Sequence, residues 1–233
     1  MKQSFRGLVY FFLVELRRPL IIFWTILFPI LIVSLAFSYY LSQIEQGPLF
    51  FSLTGPLYVF FSIWGFICIK EFIPFSIKLG ATRKQIWRAI GVFFLSLAVI
   101  QAIFASIIQE VVWKLTDWVG IDAFRFLHPA FFVTDNWYTR IMIDVGIFTF
   151  FFVISYLIGL VFYKYGLLGG GSLLGAILLV LLMTIATGWF AEFVGKIISD
   201  MSVIFYIQTF AVGIALYLCS FLFFSKITIV KAR

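Results

Sequence analysis

The chain has 233 residues, of which 64% are hydrophobic and 12% charged, and its formal net charge is +7. A soluble domain carries about 25% charged residues to cover its surface, so this composition excludes a water-soluble globule. The surplus of cations does not call for nucleic acid, because anionic lipid headgroups attract the same charges.

Charge-free runs cover residues 19–44, 46–69, 89–109, 145–163, 165–191 and 201–225. A helix crosses the ~30 Å hydrocarbon core with about 20 apolar residues, and all six runs reach or approach that length. None alternates as a barrel strand does, so helices are the way to satisfy the backbone in lipid. The expected fold is all-α: one transmembrane domain over 1–233, with spans at 19–41, 53–69, 89–108, 141–163, 167–188 and 201–225. With the N-terminus inside, Lys2, Arg6, Arg17, Arg18, Lys70, Lys78, Arg83, Lys84, Arg88, Lys164, Lys226, Lys231 and Arg233 fall on the cytoplasmic side. Only Lys114, Arg125, Arg140 and Lys196 fall outside. That bias predicts cytoplasmic N- and C-termini.

Residues 2–18 read as an amphipathic helix. Phe5, Leu8, Val9, Phe12, Leu13 and Leu16 share one face, with Arg6, Glu15, Arg17 and Arg18 off it. The stretch is too short to span, and Pro19 suits a first helical turn. It is therefore expected to lie along the inner leaflet and to break from the first span at Pro19. Its apolar run ends at Glu15 without a small-residue cleavage site, so no cleavable signal peptide is expected.

Residues 70–88, KEFIPFSIKLGATRKQIWR, form the most elaborate polar interruption. Pro74 is placed to open a short helix through Leu79, and Gly80 suits a left-handed helix end. Thr82 and Gln85 then match a capping box that starts a second helix, continuing into the third span. Phe72, Ile73, Phe75, Ile77 and Leu79 are expected to be exposed, which marks a binding surface in preference to a solvated basic loop.

KLGATRKQIWRA resembles the loop between the second and third spans of ABC-2 type permeases, the membrane subunits of bacterial ABC exporters. The six-span layout and the inner-leaflet helix resemble that family as well. The resemblance implies a coupling helix within 72–85 that docks on a separate cytoplasmic ABC ATPase. Docking residues would then come from Glu71, Phe72, Ile73, Phe75, Ser76 and Lys78, and from Leu79, Gly80, Thr82, Arg83, Lys84 and Gln85. It also implies a bacterial plasma-membrane location and a second permease subunit, identical or paralogous. ATP and magnesium would be used by the partner ATPase, with no cofactor on this chain.

The external segment 109–140 is strongly apolar, and Trp113, Trp118, Trp137 and Tyr138 suit headgroup depth. It is expected to be interfacial helix broken near Gly120 and His128-Pro129. Arg140 and Asp144 stand one helical turn apart, and a local ion pair is expected between them. Gly166–Gly175 lacks the Lys-Ser/Thr of a phosphate loop, and Gly171 and Gly175 are spaced for helix packing instead. Residues 189–200 resemble the short external re-entrant helix of ABC-2 type permeases.

Cys68 and Cys219 both fall in expected spans and suit plain packing. A single histidine, His128, allows neither a metal cluster nor a Ser-His-Asp arrangement, so enzymatic chemistry is not expected. Spans without charges suit an amphipathic or hydrophobic cargo such as a peptide, antibiotic or lipid. The alternative is a membrane sensor or immunity protein that binds a toxic peptide through 110–140 without transporting it.

Overall fold

The computed structural model describes residues 2–44 and 47–225, with side chains from Phe5 onward. Lys226, Lys231 and Arg233, assigned above to the inner side, lie outside the described residues. The elements in order are α1 (Lys2–Gln43), β1 (Leu49–Phe51), α2 (Gly55–Lys78), α3 (Arg83–Val119), β2 (Phe124–Phe126), a 3-10 turn (Pro129–Phe132), α4 (Trp137–Ala186), α5 (Trp189–Ser199) and α6 (Val203–Phe224). Five of them, α1, α2, α3, α4 and α6, are long and apolar enough to cross a membrane.

Several helices outrun the expected spans. α1 passes through Pro19 and Pro29 without a break, so the separate interfacial helix is corrected to one rod of 42 residues, about 63 Å long. The stripe read from the sequence does bury Leu8, Phe12 and Leu16, whereas Leu13 is exposed. Those three residues belong to the main core, and packing along this face keeps the helix continuous where proline removes a hydrogen bond. α2 likewise runs through Pro74, so the helix before the turn is the tail of α2 and not a new element. α3 continues eleven residues beyond position 108, to Val119.

The segment after Gly120 corrects a second expectation. Helix does stop there, but a strand follows: Phe124 and Phe126 are buried and Arg125 is exposed, the period of a half-buried strand. It pairs in parallel with β1, placing Leu49 against Phe124 and Phe51 against Phe126.

α4 has 50 residues and would be about 75 Å long if straight. It is bent at Gly166, where φ is 68° and ψ is −164°, a conformation open only to glycine. A methyl group at Gly170 would lie 2.3 Å from the ring of Phe162, so residues eight apart touch and the chain doubles back. Limbs 137–165 and 167–186 hold the stretches read as the fourth and fifth spans. α5 matches the helix expected over 189–200.

The core is centred on α2 and the first limb of α4. A Cβ at Gly65 would fall 2.3 Å from the Phe152 carbonyl oxygen, and one at Gly159 would fall 3.0 Å from that of Phe66. The two backbones are therefore in contact. Around the crossing, Phe61 stacks on Phe148 at 4.5 Å and Phe94 on Phe152 at 4.0 Å. Gly65→Ala is expected to cost about 1–3 kcal/mol by overpacking, read as a lower midpoint in thermal unfolding of the purified protein. Gly7→Ala, at a helical site with nothing within 4 Å, should leave the midpoint unchanged or slightly raised.

Candidate functional site

Two polar constellations interrupt the apolar body, one at the α2–α3 turn and one where α4 begins. The turn is closed from both sides. At the end of α2, the Ala81 amide donates to the Ser76 carbonyl at 3.0 Å and the Gly80 amide to Ile77 at 2.9 Å, with Gly80 at φ 75°. This is the paired-bond helix ending that a left-handed glycine permits. At the start of α3, the Gln85 amide donates to Thr82 Oγ1 at 3.3 Å and the Thr82 amide to Gln85 Oε1 at 2.9 Å. Both halves of the capping box are present.

Neighbouring helices brace this turn. Phe11 stacks on Phe75 at 3.8 Å and Phe12 on Phe72 at 4.1 Å, so α1 supports the end of α2. Trp87 stacks on Tyr217 at 5.0 Å and donates to Ser220 Oγ at 3.1 Å. Arg83 donates through Nη1 to the Ser225 carbonyl, which ties α3 to the end of α6.

The expected docking residues divide into two groups. Phe72, Ile73 and Ser76 are buried inside the chain, which corrects the expectation that Phe72 and Ile73 are exposed. They follow the helical face of α2 that meets α1 and α3. Glu71, Phe75, Lys78, Leu79, Gly80, Thr82, Arg83 and Lys84 are exposed, and Ile77 and Gln85 are half-buried. Gly171 and Gly175 meet nothing within 4 Å among the described residues. Trp118, Trp137 and Tyr138 are exposed, whereas Trp113 is half-buried beneath a guanidinium.

That guanidinium belongs to Arg140, which is 1% exposed. Its Nε donates to Asp135 Oδ1 at 2.5 Å, its Nη1 donates to Glu110 Oε1 at 3.2 Å, and its carbon centre lies 3.9 Å from the centre of the Trp113 ring. Asp144, also fully buried, bonds elsewhere. Its Oδ1 accepts from the Tyr58 hydroxyl at 2.6 Å and meets His128 Nε2 at 3.1 Å. His128 Nδ1 accepts the Ala130 amide at 3.0 Å, so the ring proton sits on Nε2, facing the carboxylate.

The expected Arg140–Asp144 pair is therefore corrected to two separate clasps. Helical side chains lean toward the helix N-terminus, which carries Arg140 away from Asp144 and toward Asp135 and α3. One clasp joins α3, the 133–136 loop and α4. The other joins α2, the 3-10 turn and α4.

Sequence reasoning picked out Asp144 and His128 singly but did not connect them, and it missed Tyr58, Glu110 and Asp135 as partners. The usable signal was the coincidence of a lone histidine with a lone acid inside a charge-poor helix. Among the described residues no group of His, Cys, Asp and Glu is arranged to hold a metal ion. Each clasp ties separate elements together, and among the described residues the His128 ring bonds only to Asp144 and the Ala130 amide. No family model, curated protein or solved structure matches the chain.

The two clasps give an asymmetric expectation. Removing both carboxylates with Glu110→Gln/Asp135→Asn leaves a buried cation unpaired and should cost about 3–5 kcal/mol. Arg140→Met should cost less, because the Asp135 and Glu110 side chains are 31% and 40% exposed and can turn to water. Unfolding midpoints of the two variants in the same detergent check the order.

Proposed function

We propose that the chain is the membrane-spanning permease subunit of an ATP-driven ABC exporter, with the α2–α3 turn as the docking element for a separate cytoplasmic ATPase. The observation that carries this is the turn itself. It is locked by a glycine helix ending and a complete capping box, and it presents Lys78, Leu79, Thr82, Arg83 and Lys84 outward. An apolar Leu79 that is 56% exposed beside these cations suits a protein groove better than solvent. A lever must also be stiff, and the Phe11–Phe75 stack and the Arg83 bond to Ser225 supply stiffness.

In this arrangement the limbs of α4 on either side of Gly166 act as separate spans. The membrane is then crossed six times, with both termini in the cytoplasm of a bacterial cell. The forward part of α1 extends past its span on the cytoplasmic side, and α5 lies at the outer surface. Two such subunits, identical or paralogous, form the pathway. An apolar cavity of about 350 Å³ between Phe61, Phe94, Phe152 and Tyr217 suits an amphipathic or hydrophobic cargo. ATP and magnesium act in the partner subunit.

Co-purification of the ATPase tests the docking assignment. Leu79→Asp places a charge in the contact without touching the core, so it should abolish co-purification and coupled ATP hydrolysis while leaving the free energy of unfolding within about 0.5 kcal/mol of the parent. Retention of the ATPase would sink the assignment. The six-span topology is tested by cysteine labelling in intact cells, with the native thiols replaced. Leu168→Cys should react only with a membrane-permeant reagent, and Trp189→Cys should also react with an impermeant one.

A further inference from the structure

A second cavity, of about 620 Å³, opens between the end of α3, β2 and the 3-10 turn. Its walls are aromatic: Trp113, Phe124, Phe126 and Phe131, with Phe50 of β1 at its margin. Its charged residues are Asp117, Asp122, Asp135 and Arg125. We propose that this cavity binds a cationic amphipathic peptide, its basic side chains held by Asp117 and Asp122 and its apolar side chains by the aromatic walls.

Charge is the first argument. The chain as a whole carries +7, yet three acids and one cation line this cavity. Asp135 already shares its charge with Arg140. Asp117 and Asp122 have no ion-pair partner among the described residues. Both are exposed, so their charges remain available to a ligand. Arg125, also exposed and without an ion pair among the described residues, can donate to a peptide carbonyl.

The walls are the second argument. Phe131 is 69% exposed and Phe50 60%, although the neighbouring Phe124 and Phe126 are buried. Aromatic faces next to carboxylates attract ammonium and guanidinium groups, and they also take up an apolar side chain. A ligand bearing both kinds of group satisfies the whole lining.

Rigidity is the third. Arg140 packs on one wall residue, Trp113, and pairs with another, Asp135. The β1–β2 pair fixes Phe124 and Phe126, and the Ile121 amide closes the end of α3 by donating to the Thr116 carbonyl at 2.9 Å. The site is largely formed in advance, which lowers the cost of binding.

The site does not depend on the exporter assignment and is tested without any ATPase. The chain is placed in nanodiscs of zwitterionic lipid, which removes electrostatic attraction of the probe to the bilayer, and empty nanodiscs give the background of interfacial Trp binding. Two labelled peptides of equal length, one of Lys and Trp and one of Glu and Trp, are titrated by fluorescence anisotropy. The Lys/Trp peptide should bind at least about tenfold more tightly, with affinity falling as salt is raised. Asp117→Asn/Asp122→Asn should weaken it about three- to tenfold, in line with two partly exposed ion pairs. Phe50→Ser/Phe131→Ser should weaken it comparably, and Leu79→Asp should leave it unchanged. Equal binding of the two peptides, or parental affinity in both double variants, overturns the proposal.

Discussion

The contact between the backbones of α2 and α4 at Gly65 and Gly159 sets the rest of the structure. Helices surrounded by lipid gain little from hiding apolar side chains, because lipid is as apolar as they are. Their association depends on close packing and on the few polar bonds they share. Here the absence of side chains at Gly65 and Gly159 brings the Phe152 and Phe66 backbones within reach. The Phe61–Phe148 and Phe94–Phe152 stacks fill the flanks. Such aromatic pairs are worth about 0.5–1.5 kcal/mol each beyond their area.

The crossing also fixes both polar constellations. α2 begins next to the Asp144 clasp, with Tyr58 bonded to Asp144, and ends at the α2–α3 turn, with Lys78. It is unbroken between them. α1 and α6 brace the turn by aromatic stacking and by the Trp87 and Arg83 hydrogen bonds, and the other end of α2 is held by the bond from Tyr58 to the buried Asp144.

Local backbone chemistry was the most legible part of the sequence. Gly80, the Thr82/Gln85 box and the stop at Gly120 each act through neighbours in the chain, so the pattern is sufficient. Helix length was not legible from hydropathy, because Lys70, Glu71 and Glu110 interrupt an apolar run without interrupting a helix. Pro19 and Pro74 misled for a related reason: packing along the helix outweighed one lost hydrogen bond. The close-packing glycines were sought at Gly171 and Gly175, which share a face of one helix. The pair that packs, Gly65 and Gly159, comes from two helices and has no spacing to detect. The same holds for Asp144, whose partners arrive from positions 58 and 128, and for β1 and β2, which are three residues each and far apart in sequence.

The central claim is that the α2–α3 turn meets an ABC ATPase, and crosslinking in native membranes tests it most directly. A photoreactive amino acid is placed at position 79, and a second chain carries it at position 50 as an outer control. The account predicts a nucleotide-binding ABC subunit crosslinked from position 79 and none from position 50, identified by mass spectrometry of the adducts. An adduct from position 79 that contains no ATPase, or the same ATPase captured from both positions, would contradict it.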